Sequence, residues 1–181
     1  MEHTERMIES EEIFRGKIIR VRRDTVELPN GKTAGREIVE HNGGVCILAL
    51  DEEDCTYLVR QYRYAFAQEL TELPAGKLEP GEDPAACALR ELEEETGQRA
   101  GKLTYLGAIM PSPGFSRELL HAYLATDLTA GEMHLDEDEF LDVERLPFSA
   151  LYARVCSGEI QDAKTVFAVL KTQVLRRGDW K

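Results

Sequence analysis

Apolar and polar positions divide this chain into strand-like and helix-like stretches. The run VCILAL (45–50) and the segment CTYLVRQYRY (55–64) lie on either side of the acidic turn DEED, which predicts a hairpin entering a buried sheet. Upstream, KIIRVRRDTVELP (17–29) and KTAGREIVEH (32–41) flank Asn30-Gly31, a pair that tolerates the positive φ of a tight turn, so an N-terminal β-ribbon is expected. Further strands are expected at 101–110, 118–126 and 140–146, and helices at 84–96, 148–157 and 163–176. The first helix carries its own boundaries: Asp83 as N-cap, Pro84 at the first helical position and Gly97 just past the end. Strands and helices mixed in this order predict an α/β sandwich, with a ribbon over 1–42 and the main domain over 43–181.

Composition narrows the classes. The chain has 181 residues, 43% of them hydrophobic, with only 14 Gly and 7 Pro, which excludes a disordered or collagenous protein and suits one domain with a modest extension. Thirty-four acidic residues against 22 basic ones leave a net charge of −12, and this argues against a broad basic face for nucleic acid. Cys46, Cys55, Cys87 and Cys156 form no C-x-x-C pair or zinc spacing. The acidic start MEHTERMIESEE is unlike a signal peptide, and VCILAL falls far short of the roughly 20 residues that span a bilayer. A reduced, cytoplasmic setting without a membrane is expected.

The informative segment is GKLEPGEDPAACALRELEEETG, residues 76–97. On a helical wheel with Glu91 at zero, Glu95 falls at about 40° and Glu94 at about −60°, whereas Glu93 points away at about 200°. Ala85, Ala88, Leu89 and Leu92 occupy the neighbouring arc as a core-facing stripe. Three carboxylates on one face repel, and anions in the last turn oppose the helix dipole. Hard divalent cations would offset that repulsion; a solvated acidic helix end is the plainer reading of the wheel taken alone.

The spacing adds more. Gly76, five residues, Glu82, seven residues, then Arg90-Glu91-Leu92-Glu93-Glu94-Glu95-Thr96-Gly97 resembles the Nudix box G-x5-E-x7-R-E-U-x-E-E-x-G-U, where U is a bulky aliphatic residue. Gln98 stands in the last aliphatic position, the one departure, and touches no metal ligand. The resemblance implies a Nudix-type α/β/α sandwich with a mixed sheet and a pyrophosphohydrolase that uses Mg²⁺ or Mn²⁺. It also implies that Glu91, Glu94 and Glu95 bind metal, that Glu82 binds through water, that Arg90 orients the glutamates, and that Gly76 lets the Ala75 carbonyl approach the metal.

A second acidic cluster, LDEDEF at 135–140, is a solvated loop if taken alone. Hydrolysis also needs a base, which a mobile loop can supply. The ADP-ribose pyrophosphatases of the family place a glutamate in such a loop, which by correspondence makes Glu137 the base and Glu139 a metal ligand or helper. SPGF (112–115), RQYR (60–63), ELPAGK (72–77), DAKT (162–165) and the ribbon also resemble that subfamily. The resemblance implies substrate contacts from Arg63, Glu72, Pro113 and Phe115, and from Arg36 and Glu37 into a neighbouring subunit's site if the ribbon is exchanged in a homodimer. For Arg36 and Glu37, alternate residues on an exposed strand remain an equal reading. His41, His121 and His134 have no metal-ligand spacing, and Trp180 near the end either frays or packs at an interface.

The expected reaction is cleavage of ADP-ribose to AMP and ribose 5-phosphate. The alternatives are a Nudix hydrolase of other nucleoside diphosphate sugars or dinucleotides, and a non-catalytic ADP-ribose-binding regulatory domain. The acidity is local: residues 76–97 hold seven acids and two bases, residues 132–144 hold seven acids and no base, and the other 146 residues hold 20 of each.

Overall fold

A computed structural model describes residues 3–137 and 139–178, so Asp138 and Trp180 lie outside the described residues. The chain forms two units, Gly44–Ile109 with Leu120–Lys181, and Met1–Gly43 with Met110–Leu119.

In the larger unit, strand β4 (Gly44–Ala49) is buried along its whole length. It lies between β7 (Ala75–Lys77), antiparallel to it, and β9 (Leu120–Ala130), parallel to it, with β8 (Gln98–Ile109) at the far edge of this mixed sheet. Alternation along β4 feeds two cores. Val45, Ile47 and Ala49 pack with Cys87, Ala88 and Leu92 of helix α1 (Pro84–Thr96). Cys46 and Leu48 pack with Leu151 and Val155 of α2 (Phe148–Cys156) and with Ala168 and Val169 of α3 (Ala163–Arg177). A strand covered on both faces has to be apolar throughout, which explains VCILAL and gives the α/β/α layering. A second sheet has the order β10 (Leu141–Pro147), β5 (Cys55–Arg63), β6 (Gln68–Glu72), all antiparallel.

Helix α1 starts and stops at the residues its sequence marks. The Asp83 carboxylate accepts the Ala86 N–H at 3.0 Å, and Gly97, at φ 65°, donates its N–H to the Glu93 carbonyl. The buried face is rotated from the expected stripe: Leu89 is 41% exposed, while Cys87, Glu91 and Glu95 are buried beside Ala88 and Leu92. The helix turns Glu91 and Glu95 inward, towards the sheet.

The smaller unit is a three-stranded antiparallel sheet, β1 (Arg6–Arg15), β2 (Arg20–Glu27) and β3 (Thr33–Glu40). The β2–β3 hairpin turns through Pro29-Asn30-Gly31, with the Gly31 N–H donating to Leu28 O at 2.9 Å and Gly31 at φ 78°. The expected ribbon has two strands; the third, β1, has irregular register at Met7/Glu9 and Glu12/Phe14, and these bulges break the alternation that would announce it. The 110–119 loop docks on β3 through Val39 N to Phe115 O at 2.8 Å and Arg117 N to Val39 O at 2.9 Å.

Candidate active site

The site is built where α1 crosses β7. Gly76 packs so closely on the helix that a Cβ built on its backbone would fall 1.8 Å from the Glu91 carboxyl carbon. Next to it, the Ala75 N–H donates to Glu95 Oε2 at 2.8 Å. Glu91 and Glu95 are thereby held as buried neighbours one helical turn apart. Burial raises the pKa of Glu91, Arg90 opposes this, and the charges of Glu94 and Glu139 add to the rise. Burial pushes Glu95 up to about 8, opposed by the Ala75 N–H and reinforced by the Glu91 and Glu139 charges.

Arg90 gathers the remaining box carboxylates. Its guanidinium donates to Glu82 at 3.1 Å, to Glu91 at 2.8 Å and to Glu94 at 2.8 Å. Glu82 also accepts the Glu79 N–H at 2.9 Å, and the Arg90 bond, ahead of that one, holds its carboxyl below the usual range. Glu93 points away from this cluster and binds Arg99.

Residues 131–134 follow β9 past the C-terminal end of α1, where the Gly131 N–H donates to Gly97 O at 2.8 Å and the His134 N–H to Glu94 O at 2.9 Å. The half-buried Glu139 acts by charge on Glu91 and Glu95, whereas Glu137 is exposed at the turn. His121 binds the Tyr105 hydroxyl at 3.1 Å, and His41 faces Glu118 at 3.8 Å.

Arg63 and Glu72 meet as a bidentate pair, with both N–H···O distances at 2.7 Å. Glu72 is 1% exposed and is also held by Lys164, which packs against Asp162 at 3.0 Å. In the sequence, Lys164 and Asp162 are marked only by the DAKT motif, which points to no role for either. In the smaller unit, Glu37 and Phe115 share a cleft of about 280 Å³ with Arg23, Val21 and Val39. Arg36 instead pairs with Glu5, and Pro113 is exposed in its turn.

The donor set suits a hard divalent cation: carboxylate oxygens, two of them buried, with repulsion between them and proton affinity raised. Among the described residues no three His, Cys, Asp or Glu side chains form a ligand cluster, and Arg90 lies between Glu82, Glu91 and Glu94. A pH dependence follows. Between the ordinary carboxylate pKa and about 8 the folded protein keeps a proton on Glu95 that the unfolded chain has lost, so the metal-free protein loses stability as pH rises through that window. Melting in EDTA is expected at a lower temperature at pH 8 than at pH 6 by a few degrees, with Mg²⁺ raising it more at pH 8. A metal-free protein that melts higher at pH 8 would contradict the buried glutamate pair.

The sequence matches the NUDIX domain over residues 40–168. The chain belongs to the Nudix family. Residues 5–39 of this Nudix protein match the nucleoside diphosphate sugar hydrolase N-terminal domain. A protein named ADP-ribose pyrophosphatase from Bacillus subtilis (strain 168) is 46% identical over 172 residues, covering 94% of this chain and 93% of that one. A methanol dehydrogenase activator from Bacillus methanolicus is 44% identical over 172 residues, with the same two shares. The fold matches a crystal structure of an ADP compounds hydrolase with a TM-score of 0.85, at 24% identity, over 97% of this chain and 95% of that one. Among the described residues no helix is long and apolar enough to cross a membrane.

Proposed function

We propose that this Nudix hydrolase cleaves the diphosphate of ADP-ribose, with water, to AMP and ribose 5-phosphate. The observation that carries the reading is the pair of buried carboxylates, Glu91 and Glu95, held on α1 against Ala75 and Gly76. The 46% identity to an ADP-ribose pyrophosphatase across nearly the whole chain supports the substrate. Glu91, Glu94 and Glu95, with the Ala75 carbonyl, would hold Mg²⁺ or Mn²⁺, and Glu82 would contact it through water. Such a cation, when bound, neutralises diphosphate charge and makes water more acidic.

Arg90 would keep Glu82, Glu91 and Glu94 within reach of one another, giving way as cation charge replaces its own. Arg63 has one guanidinium edge on Glu72; among the described residues its Nη1 meets no acceptor, and this open edge would take a diphosphate oxygen. Pro113 and Phe115 would contact the substrate, Phe115 at the nucleoside, and Arg36 and Glu37 would reach a second copy's site if the ribbon is exchanged. Met7, Ile8, Ile13 and Phe14 are exposed on β1, and these four apolar side chains on an otherwise polar strand favour pairing of two copies through the ribbon.

In the loop, Glu137 would act as base and Glu139 as metal ligand or helper. Glu137→Gln is expected to lower kcat by about 10²-fold with little change in the Mg²⁺ midpoint. A Glu139→Gln loss far larger than that would reverse the two roles.

The substrate is tested by a panel in Mg²⁺: kcat/KM for ADP-ribose is expected to exceed that for ADP-glucose and NADH by at least about tenfold, the size of effect a few specific contacts give. An ADP-ribose value no better than the other two would refute the narrower assignment and leave a broader nucleoside diphosphate hydrolase.

A further inference from the structure

The mechanism above leaves unused a buried charged cluster in the larger unit. Lys164, in the first turn of α3, is 8% exposed and cannot meet a substrate. Its Nζ touches Glu72 Oε2 and lies 3.0 Å from Asp162. The same Glu72 oxygen accepts Arg63 Nη2 at 2.7 Å, and the other oxygen accepts Arg63 Nε at 2.7 Å. Thr165 completes the contact: its hydroxyl donates to Asp162 at 2.6 Å and accepts the Leu73 N–H at 2.9 Å. The start of α3 thus grips Glu72 and Leu73, just upstream of Ala75 and Gly76.

A buried Lys–Glu–Arg arrangement is a poor way to gain stability, because desolvation cancels much of the attraction and apolar replacements do as well. Its geometry is specific, however. One oxygen of Glu72 is tied from inside by Lys164, so the carboxylate plane is set, and a set carboxylate fixes the plane of the guanidinium that it holds bidentately. The Arg63 side chain is 39% exposed, which leaves its second edge open to solvent.

We propose that Lys164 is a positioning residue: from within the core it fixes the Glu72 carboxylate, and through it aims the free edge of Arg63 at the substrate diphosphate. The inference rests on the reading that Arg63 meets that diphosphate. Lys164 then governs substrate affinity without touching substrate, and its effect passes through one named side chain.

Steady-state kinetics on ADP-ribose in Mg²⁺ test this with Lys164→Met, Arg63→Gln and the double variant. Arg63→Gln is expected to raise KM about tenfold, Lys164→Met to raise KM by a similar factor with kcat within about threefold, and the double variant to be no worse than Arg63→Gln alone. Multiplying effects in the double variant, or a Lys164→Met defect confined to kcat, would overturn the positioning role. An unchanged KM for Arg63→Gln would instead overturn the reading of Arg63 and this inference with it. If Lys164→Met does not fold, Glu72→Gln/Lys164→Met, which strands neither partner's charge in the core, goes through the same comparison with and without Arg63→Gln. There, too, a KM that rises further when Arg63 is changed overturns the proposal, and one that does not supports it.

Discussion

Gly76→Ala is expected to lower kcat/KM for ADP-ribose by at least about 10²-fold, the cost of moving a reacting group by around 1 Å. A methyl group on this backbone would fall 1.8 Å from Glu91 Oε1 and 2.3 Å from Oε2, so either the helix or the Glu91 side chain has to move. The backbone at Gly76 is not among the positive-φ positions, so alanine adds no conformational strain and the effect is one of space alone. The Mg²⁺ concentration needed for half-maximal rate is expected to rise as well, because the displaced group is a proposed ligand. Wild-type activity and an unchanged Mg²⁺ midpoint in Gly76→Ala would show that the close approach of β7 to α1 has no bearing on the site.

How far such features were readable in the sequence depended on how local their causes are. Helix α1 was legible from end to end, because Asp83, Pro84 and Gly97 act on the backbone within one turn of themselves. Its carboxylate face was legible from spacing, yet the wheel placed Leu89 inside and could not say that Glu91 and Glu95 are buried, since that depends on Gly76 removing a side chain from the opposing strand. Strand β4 was legible because burial on both faces leaves only apolar residues. Strands β6 and β7 are five and three residues long, too short for alternation to register. Strand β1 was hidden by its bulges and by a sequence whose every residue is exposed.

The site divides in the same way. The box residues lie within 22 positions of one another and announce themselves, whereas Glu72 meets Lys164 across 92 positions. The resemblance gives Glu72 a substrate contact, whereas the fold buries it at 1% exposure with Arg63 and Lys164 on its two oxygens. Here burial raises the Glu72 carboxyl, but Arg63 and Lys164 more than reverse that and hold it down at about 2. A lysine early in a helix reads as surface, and only the fold turns this one inward. The acidic excess has a location as well: its two concentrations, the box helix and the 132–144 segment, meet where Glu139 acts on Glu91 and Glu95.

We attribute hydrolysis by this Nudix protein, as opposed to mere binding of the same ligand, to the buried carboxylates on α1. Glu91→Gln separates the two. The substitution keeps the shape and the Arg90 contact as a neutral acceptor, but removes one negative charge from the buried pair. Hydrolysis and binding are measured on the same preparation, AMP release from ADP-ribose in Mg²⁺ beside calorimetric titration with ADP-ribose. AMP release is expected to fall on the order of 10³-fold, the scale for losing a principal electrostatic group, with the dissociation constant little changed. Unchanged AMP release from Glu91→Gln would contradict the metal-binding role of the helix and the mechanism built on it.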